Sequence, residues 1–238
     1  ITSFKKMKQV VIVGGGAAGF FAAINCAEKN PDYRITILEK SSTLLNKVKV
    51  SGGGRCNVAH ACFDAKELVK NYPRGEKQLL GPFTKFNPSN TVDWFAQRGV
   101  KLKREDDGRM FPVTDSSQTI IDCFWGEAKR LGVHVRLRCG LQRWQVADGG
   151  WQIKTSTGEE IIADAVIVTT GSSHEVWGLL EKLGHRIIAP VASLFTFNIA
   201  NFTHKEIAGV SVTRAHVKVL GVEQTGPLLI THWGFSGP

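Results

Sequence analysis

No apolar run in this sequence approaches the roughly 18–20 residues of a membrane-spanning helix. The longest are short β-type stretches such as residues 10–13 and 165–168. Cysteine is sparse and odd in number, at Cys26, Cys56, Cys62, Cys123 and Cys139. That irregular spacing argues against a disulfide framework and for reduced thiols in a cytosolic setting. No C-x-x-C occurs, and Cys56 and Cys62, with five residues between them, lack redox-dithiol spacing and read as two ordinary thiols. The histidines (His60, His134, His174, His185, His204, His216 and His232) form no H-x-x-x-H and no mixed Cys/His pattern, so no metal site is expected. There is no internal repeat and no low-complexity tract. Position 1 is not Met, and the basic start leads directly into a strand rather than a signal-peptide pattern, so the chain reads as trimmed or a fragment.

What is present is an ordinary globular composition: 238 residues, 42% hydrophobic and 21% charged. Thirty Lys and Arg against 21 Asp and Glu give a net charge of +9. The basic residues are scattered, without a stripe interleaved with aromatics. The charge therefore suits an anionic cofactor at least as well as a nucleic acid, and a nucleic-acid partner is disfavoured.

Val10-Val11-Ile12-Val13 is continuous and β-branched, as a strand buried on both faces requires. A glycine loop follows, then an Ala-rich helix over 17–29, then a second strand over 34–39. This is a βαβ unit with a parallel sheet implied. Residues 41–85 read as loop-rich, and a short amphipathic helix is expected over 90–98, stopped by Gly99. Short strands are expected at 100–103 and 110–113, and a helix capped by Ser116 running to Leu131. A parallel strand follows at 133–137. Strands at 142–146, 151–155 and 161–163 around Asp148-Gly149-Gly150 form a meander. Residues 164–171 return as a buried strand, followed by a helix over 175–183. Short strands over 194–199, 210–213, 215–220 and 228–231 signal a change of character. The expected division is a Rossmann-like domain over 1–190 and the beginning of a β-rich domain over 191–238. Trp125 and Trp177 read as core.

The sharpest signal is Gly14-Gly15-Gly16-Ala17-Ala18-Gly19, a G-x-G-x-x-G. Gly14 permits the tight turn, Gly16 lets a pyrophosphate reach the backbone, and Gly19 lets helix and strand pack closely. The helix N-terminus offers free N–H groups and a positive dipole end to phosphates. Glu39, about twenty residues further on, can accept hydrogen bonds from both ribose hydroxyls. That acid favours NAD or FAD over a cofactor with a 2′-phosphate. A second cluster, Ser51-Gly52-Gly53-Gly54-Arg55-Cys56-Asn57, permits close approach to a flat or charged ligand. Lys47, Lys49 and Arg55 bring positive charge to the same loop. His232 is a candidate substrate-side polar group, although a structural histidine is the simpler reading.

The chain resembles a family of bacterial flavoproteins that includes aminoacetone oxidase-like and 3-dehydro-bile-acid reductase-like proteins, within the glutathione-reductase-type, two-dinucleotide-fold superfamily. The resemblance rests on residues 11–19 and 51–57, on Gly108-Arg109-Met110-Phe111-Pro112, on Leu183-Gly184-His185, and on residues 229–238. It implies an α/β fold: a Rossmann-like FAD-binding parallel sheet with a β-meander, plus the start of a second, β-rich domain. By the same resemblance, Gly14, Gly16, Ala17, Ala18 and Gly19 would hold the FAD pyrophosphate. Glu39, with Lys40 beside it, would hold the adenosine ribose. Asn46, Lys47 and the loop of Ser51, Gly52, Gly53, Gly54, Arg55, Cys56 and Asn57 would follow the ribityl chain and isoalloxazine. Leu141 would offer its backbone to adenine, and Thr170 and Gly171 would pass close to the phosphates. Family members are longer, and their C-terminal segment returns to the FAD domain. The flavin end of the site is therefore expected to be incomplete in this chain, with FAD held weakly or not at all.

The function so implied is an FAD-dependent oxidoreductase, NAD(P)H-linked or oxidase-type, acting on a small organic substrate. No side chain stands out as acid, base or nucleophile. The alternatives are an FAD-dependent RNA-modifying enzyme and a non-catalytic dinucleotide-binding module.

Overall fold

A computed structural model of the chain describes residues 7–72, 74–147, 149–191 and 196–236. It divides into two compact units, Ile1–His185 and Arg186–Pro238.

In the first unit the elements run β1 (Gln9–Val13), α1 (Ala17–Lys29), β2 (Arg34–Leu38), α2 (Asn46–Val50), a 3-10 turn (Ser51–Gly54), β3 (Ala59–His60), α3 (Ala65–Val69), α4 (Glu76–Lys85) and α5 (Pro88–Ala96). They continue with β4 (Leu102–Arg104), β5 (Arg109–Pro112), α6 (Ser117–Arg130), β6 (His134–Arg136), β7 (Leu141–Ala147), β8 (Gly150–Thr155), β9 (Glu160–Ala163), β10 (Ala165–Val168) and α7 (His174–Lys182). The central sheet is parallel, in the order β10-β1-β2-β6, with Val11 aligned on Thr36 and Val166.

The apolar run of β1 is continuous because each face of the strand serves a different core. Val10 and Ile12 point into a cluster with Phe20 and Ile24 of α1, Trp94 and Phe95 of α5, and Ile120 and Phe124 of α6. Val11 and Val13 point the other way, into a cluster with Leu141, Trp144, Ile153 and Ile161 of the antiparallel meander β7-β8-β9 and with Val176 of α7. Each fully buried Val or Ile contributes roughly 1.5–3 kcal/mol. The sheet is thereby fixed from both sides at the strand that leads into the glycine loop.

The βαβ unit, the meander and the helix capped by Ser116 lie where the sequence placed them; the Ser116 hydroxyl accepts from Gln118 N–H at 3.3 Å. Other segments differ. Residues 41–85 are not mainly loop but hold α2, the 3-10 turn, α3 and α4. The helices α2 and α3 have five residues each, too few to show an apolar period. The helix α4 carries Pro82 and fully buries no side chain, Leu79 and Phe83 on its apolar side being only half-buried. The helix α5 starts at Pro88, where Asn87 and Asn90 form a capping box. The strand β10 is half-buried rather than buried, because it stands at the sheet edge with β1 as its partner among the described residues. Trp125 is not core: it is 46% exposed, with its ring 6.2 Å from Phe20. Asp148, expected in the meander turn, lies outside the described residues.

The second unit contains β11 (Thr196–Asn198), a 3-10 turn (Lys205–Ile207), β12 (Ser211–Val219), β13 (Val222–Thr231) and β14 (Gly234–Ser236), in an antiparallel sheet of order β11-β14-β13-β12. The two strands expected over 210–220 are one, with an irregularity between Val212 and Ala215. Leu220 and Gly221 both have positive φ, 49° and 82°, and close the β12–β13 hairpin as a two-residue turn. The first half of β13 is polar, which hid it from an apolar-run reading. Residues 194 and 195 of the strand expected at 194–199 lie outside the described residues, as do 237 and 238.

Candidate dinucleotide site

The carboxyl ends of β1, β2 and β10 meet at Gly14, Glu39 and Thr169. Gly14 has φ +113°, and a Cβ there would lie 2.6 Å from Thr169 O and 3.1 Å from Thr170 Cα. Its N–H donates to Leu38 O at 2.8 Å. The Thr169 hydroxyl donates to Val13 O (2.9 Å) and Gly14 O (3.0 Å), tying β10 to the loop. A Cβ on Gly19 would overlap Gly14 O, so this glycine is required by packing. Gly15 is enclosed too, with Leu44 Cδ2 2.7 Å from where its Cβ would stand. Gly16 differs: a Cβ there would meet nothing within 4 Å. It is the N-cap of α1, no side chain caps the helix, and the first turn contains no acid. Ala17 and Ala18 are exposed beside it. An open backbone face and an uncapped N-terminus are what an anionic group needs.

Glu39 Oε2 accepts from Gly15 N–H and Oε1 from Ser41 N–H, each at 2.8 Å. Burial alone raises the Glu39 carboxyl pKa. The Ser41 and Gly15 amides, the Ser41 hydroxyl and the charge of Lys40 together outweigh it, and the pKa lies below the ordinary 4.5. Each oxygen keeps a lone pair for a further donor. Residues 138–140 run along this end of β2: Arg138 N–H donates to Ser41 O and Cys139 N–H to Glu39 O. Lys40 abuts Gly140, and Leu141, the next residue, begins β7 with its side chain in the core.

Leu45 N–H donates to Gly15 O at 3.0 Å and fastens the start of α2 to the dinucleotide loop. Asn46 donates to Thr43 Oγ1 at 2.7 Å. Lys47 reaches Ser172 Oγ at 3.2 Å, and a Cβ on Gly171 would be 3.7 Å from its ammonium. Lys47 thus bridges the segment after β2 and the turn after β10.

The second glycine loop follows α2 without a break. Gly52, Gly53 and Gly54 all have positive φ, at 57°, 68° and 85°. A Cβ on Gly52 would strike Phe111 Cε1 (2.7 Å) and Asn57 N (2.8 Å), whereas one on Gly53 would meet nothing and one on Gly54 only Lys49 O at 4.0 Å. Cys56 also has positive φ, 64°, and is buried, which pushes its thiol pKa up. Arg55 does not add free charge to this loop as the sequence suggested. It pairs with Glu105 (2.5 Å) and Asp115 (3.5 Å).

Short contacts therefore tie Gly14, Gly15 and Gly19 to Glu39, Thr169 and Thr170, and Lys47 to Gly171 and Ser172, while Asn46 stands beside Leu45 at the start of α2, Lys40 abuts Gly140, and Ser51 to Asn57 are continuous with α2. Sequence reasoning missed Thr169, Ser172 and Leu45. The Thr-Thr-Gly that follows β10 was a signal for the first; nothing marked the others. His232 lies exposed in the second unit beside Trp233. A cavity of about 650 Å³ lies at the opposite end of the strands, around Gln9, Arg34 and His134. Its lining acids Glu159, Glu160 and Asp164 are already engaged, by Arg136, by the Gln152 amide and by Gln9 N–H. Among the described residues no cluster of His, Cys, Asp and Glu could hold a metal, and no helix is long and apolar enough to cross a membrane.

A parallel sheet, a glycine turn with one open residue, an uncapped helix and an acid closing the next strand define a Rossmann-type protein whose residues fit an adenine dinucleotide. The chain belongs to the HI0933-like protein Rossmann domain family, whose model matches residues 8–231. This is in keeping with the resemblance read from the glycine motifs. It is similar to the 3-dehydro-bile acid delta(4,6)-reductase of Clostridium scindens, 26% identical over 243 residues that cover 97% of this chain and 58% of that protein. It is also similar to the ribosomal RNA dihydrouridine synthase of Haemophilus influenzae, 24% identical over 245 residues covering 96% of this chain and 59% of that one. The chain thus spans about three fifths of the length of these curated relatives. Among solved structures, THI4 of Thermovibrio ammonificans has a TM-score of 0.49 at 16% identity, covering 76% of this chain and 64% of that one.

Proposed function

We propose that this chain is the FAD-binding part of a flavin-dependent reductase. The observation that carries the reading is the contrast within one loop. Gly14, Gly15 and Gly19 are closed by packing, while Gly16 faces open space at an uncapped helix N-terminus, next to an ionised Glu39. In this reading α1 takes the pyrophosphate, Glu39 the ribose diol, and the open backbone of Gly53 and Gly54 the ring end of the cofactor. Bound FAD supplies hydride transfer at its N5 atom. Lys47 places a cation between the two strand ends where negative charge on the cofactor is expected.

Both named relatives support a reductive direction, since a delta(4,6)-reductase and a dihydrouridine synthase each add hydrogen across a carbon–carbon double bond. The substrate is then a small organic molecule with such a bond, and NADH or NADPH the electron donor. The test is the visible spectrum of the purified full-length protein, followed by anaerobic addition of NADH or NADPH. A flavin spectrum that bleaches is expected. A colourless protein that does not take up added FAD overturns the proposal.

A second reading, reduction of a base in RNA, is favoured by the dihydrouridine synthase likeness together with the net charge of +9. Arg214, His216 and Lys218 alternate along β12 on one face, although Glu223 pairs with two of them. RNA binding that weakens steeply with salt supports this reading; binding that is absent at low salt removes it.

A further inference from the structure

The second glycine loop has two unlike sides. One is open, at Gly53 and Gly54. The other is pressed against the β3-β5-β4 sheet, where Gly52 leaves no room for a side chain against Phe111. Phe111 is fully buried, and the Arg55 guanidinium lies 4.0 Å from its ring centroid. Arg55 then reaches Glu105 at the start of the β4–β5 turn and Asp115 beyond β5. Asp115 is held in turn by Lys103 at 2.5 Å, and Glu105 also faces Arg109. Arg55 N–H closes on Gly52 O at 3.4 Å and Cys56 N–H on Ser51 O at 2.9 Å, so the residue that makes the ion pairs also closes the turn. From the other end, Ser117 Oγ donates to Lys49 O at 2.9 Å.

A run in which Gly52, Gly53, Gly54 and Cys56 all adopt positive φ is entropically expensive to order. It needs an external buttress, and the planar guanidinium supplies one by stacking and pairing at once. We propose that Arg55 is a positioning residue. Held by Glu105, Asp115 and Phe111, it sets the glycine loop in its cofactor-ready form, and it is not itself a ligand of the cofactor. This rests on the FAD reading above.

The test uses the full-length protein and three variants: Arg55→Met, the near-isosteric pair Glu105→Gln/Asp115→Asn, and all three substitutions combined. FAD affinity is measured by fluorescence quenching, and amide hydrogen exchange of residues 51–57 is measured without flavin. For a buttress, Arg55→Met and the acid pair each weaken FAD binding by a similar factor, about 3- to 10-fold. The combined variant is no worse than either, and loop amides exchange faster in all three before any flavin is added. For a direct ligand, Arg55→Met weakens FAD while the acid pair leaves or improves it, with exchange unchanged; that result overturns the proposal. If the parent protein takes up no FAD, the FAD reading fails separately, and the exchange rates alone decide whether Arg55 orders the loop.

Discussion

Glu39 Oε2 and the Gly15 N–H lie 2.8 Å apart, so the acid at the end of β2 holds the glycine loop at the end of β1. The carboxylate has a structural duty as well as the ribose contact proposed for it. Glu39→Ala therefore affects two measurements. FAD affinity, read by titration, falls by about 1–3 kcal/mol, the scale for a charge-assisted hydrogen-bond partner. The urea midpoint falls as well, even without ligand. If affinity does not change, Glu39 is not a ribose ligand.

The same carboxyl gives a pH dependence with a definite sign. Its pKa in the folded protein lies below the unfolded value near 4.5, so its contribution to stability is fully present above that value. It is lost as the pH falls through the folded pKa. Urea midpoints measured from neutral pH down to about pH 3 should fall more for the parent than for Glu39→Ala, the two curves converging in acid. Parallel curves would place the titration elsewhere.

Gly16 and Gly19 separate cofactor binding from folding within one motif. A Gly16→Val side chain enters open space, and the residue's extended backbone (φ −89°, ψ −171°) accepts a branched side chain. The variant should fold with a melting temperature close to the parent's and fail to bind FAD. Gly19→Ala places a methyl group on Gly14 O and should cost about 3 kcal/mol or prevent folding. A Gly16→Val protein that retains FAD at parental affinity contradicts the pyrophosphate placement.

Much of this arrangement was legible beforehand, because in β1 and α1 local pattern and tertiary role agree. Val10–Val13 is apolar throughout since both faces are buried, and Gly14, Gly16 and Gly19 each answer a separate steric demand. The illegible parts have physical causes. The short helix α2 has no capping side chain and is fastened through Leu45 to the dinucleotide loop, α3 is marked locally by its Asp64 cap alone, and α4 packs without a fully buried side chain. Arg55 looked like free charge because its partners, Glu105 and Asp115, lie 50 and more residues away. Trp125 carries no sequence mark of its exposure.

The cysteines give a chemical check on loop closure. Burial, reinforced by Glu127, pushes the Cys123 thiol up to about 11, and burial pushes Cys56 up as well. Both are protonated at neutral pH and poor nucleophiles. Iodoacetamide at neutral pH should leave Cys56 and Cys123 unmodified in the native protein and label them after denaturation, with mass spectrometry as the readout. Rapid native labelling of Cys56 would mean that the loop of residues 51–57 opens readily.

Leu45 supplies a stability test whose order runs against habit. It is buried to 2% exposure yet holds φ 56°, in the left-handed region that disfavours side chains with a Cβ. Its N–H bond to Gly15 O fixes that conformation at the junction of the dinucleotide loop and α2. Truncation to Ala forfeits about 2–5 kcal/mol of packing and keeps the backbone strain. Truncation to Gly forfeits slightly more packing but removes a left-handed penalty of about 1–2 kcal/mol. Leu45→Gly should therefore be more stable than Leu45→Ala by about 1 kcal/mol, the reverse of the usual ranking, with both below the parent. Chemical denaturation of the three proteins measures the order. If Ala proves the more stable, Leu45 relaxes out of the left-handed region, and its hold on Gly15 does not constrain the loop.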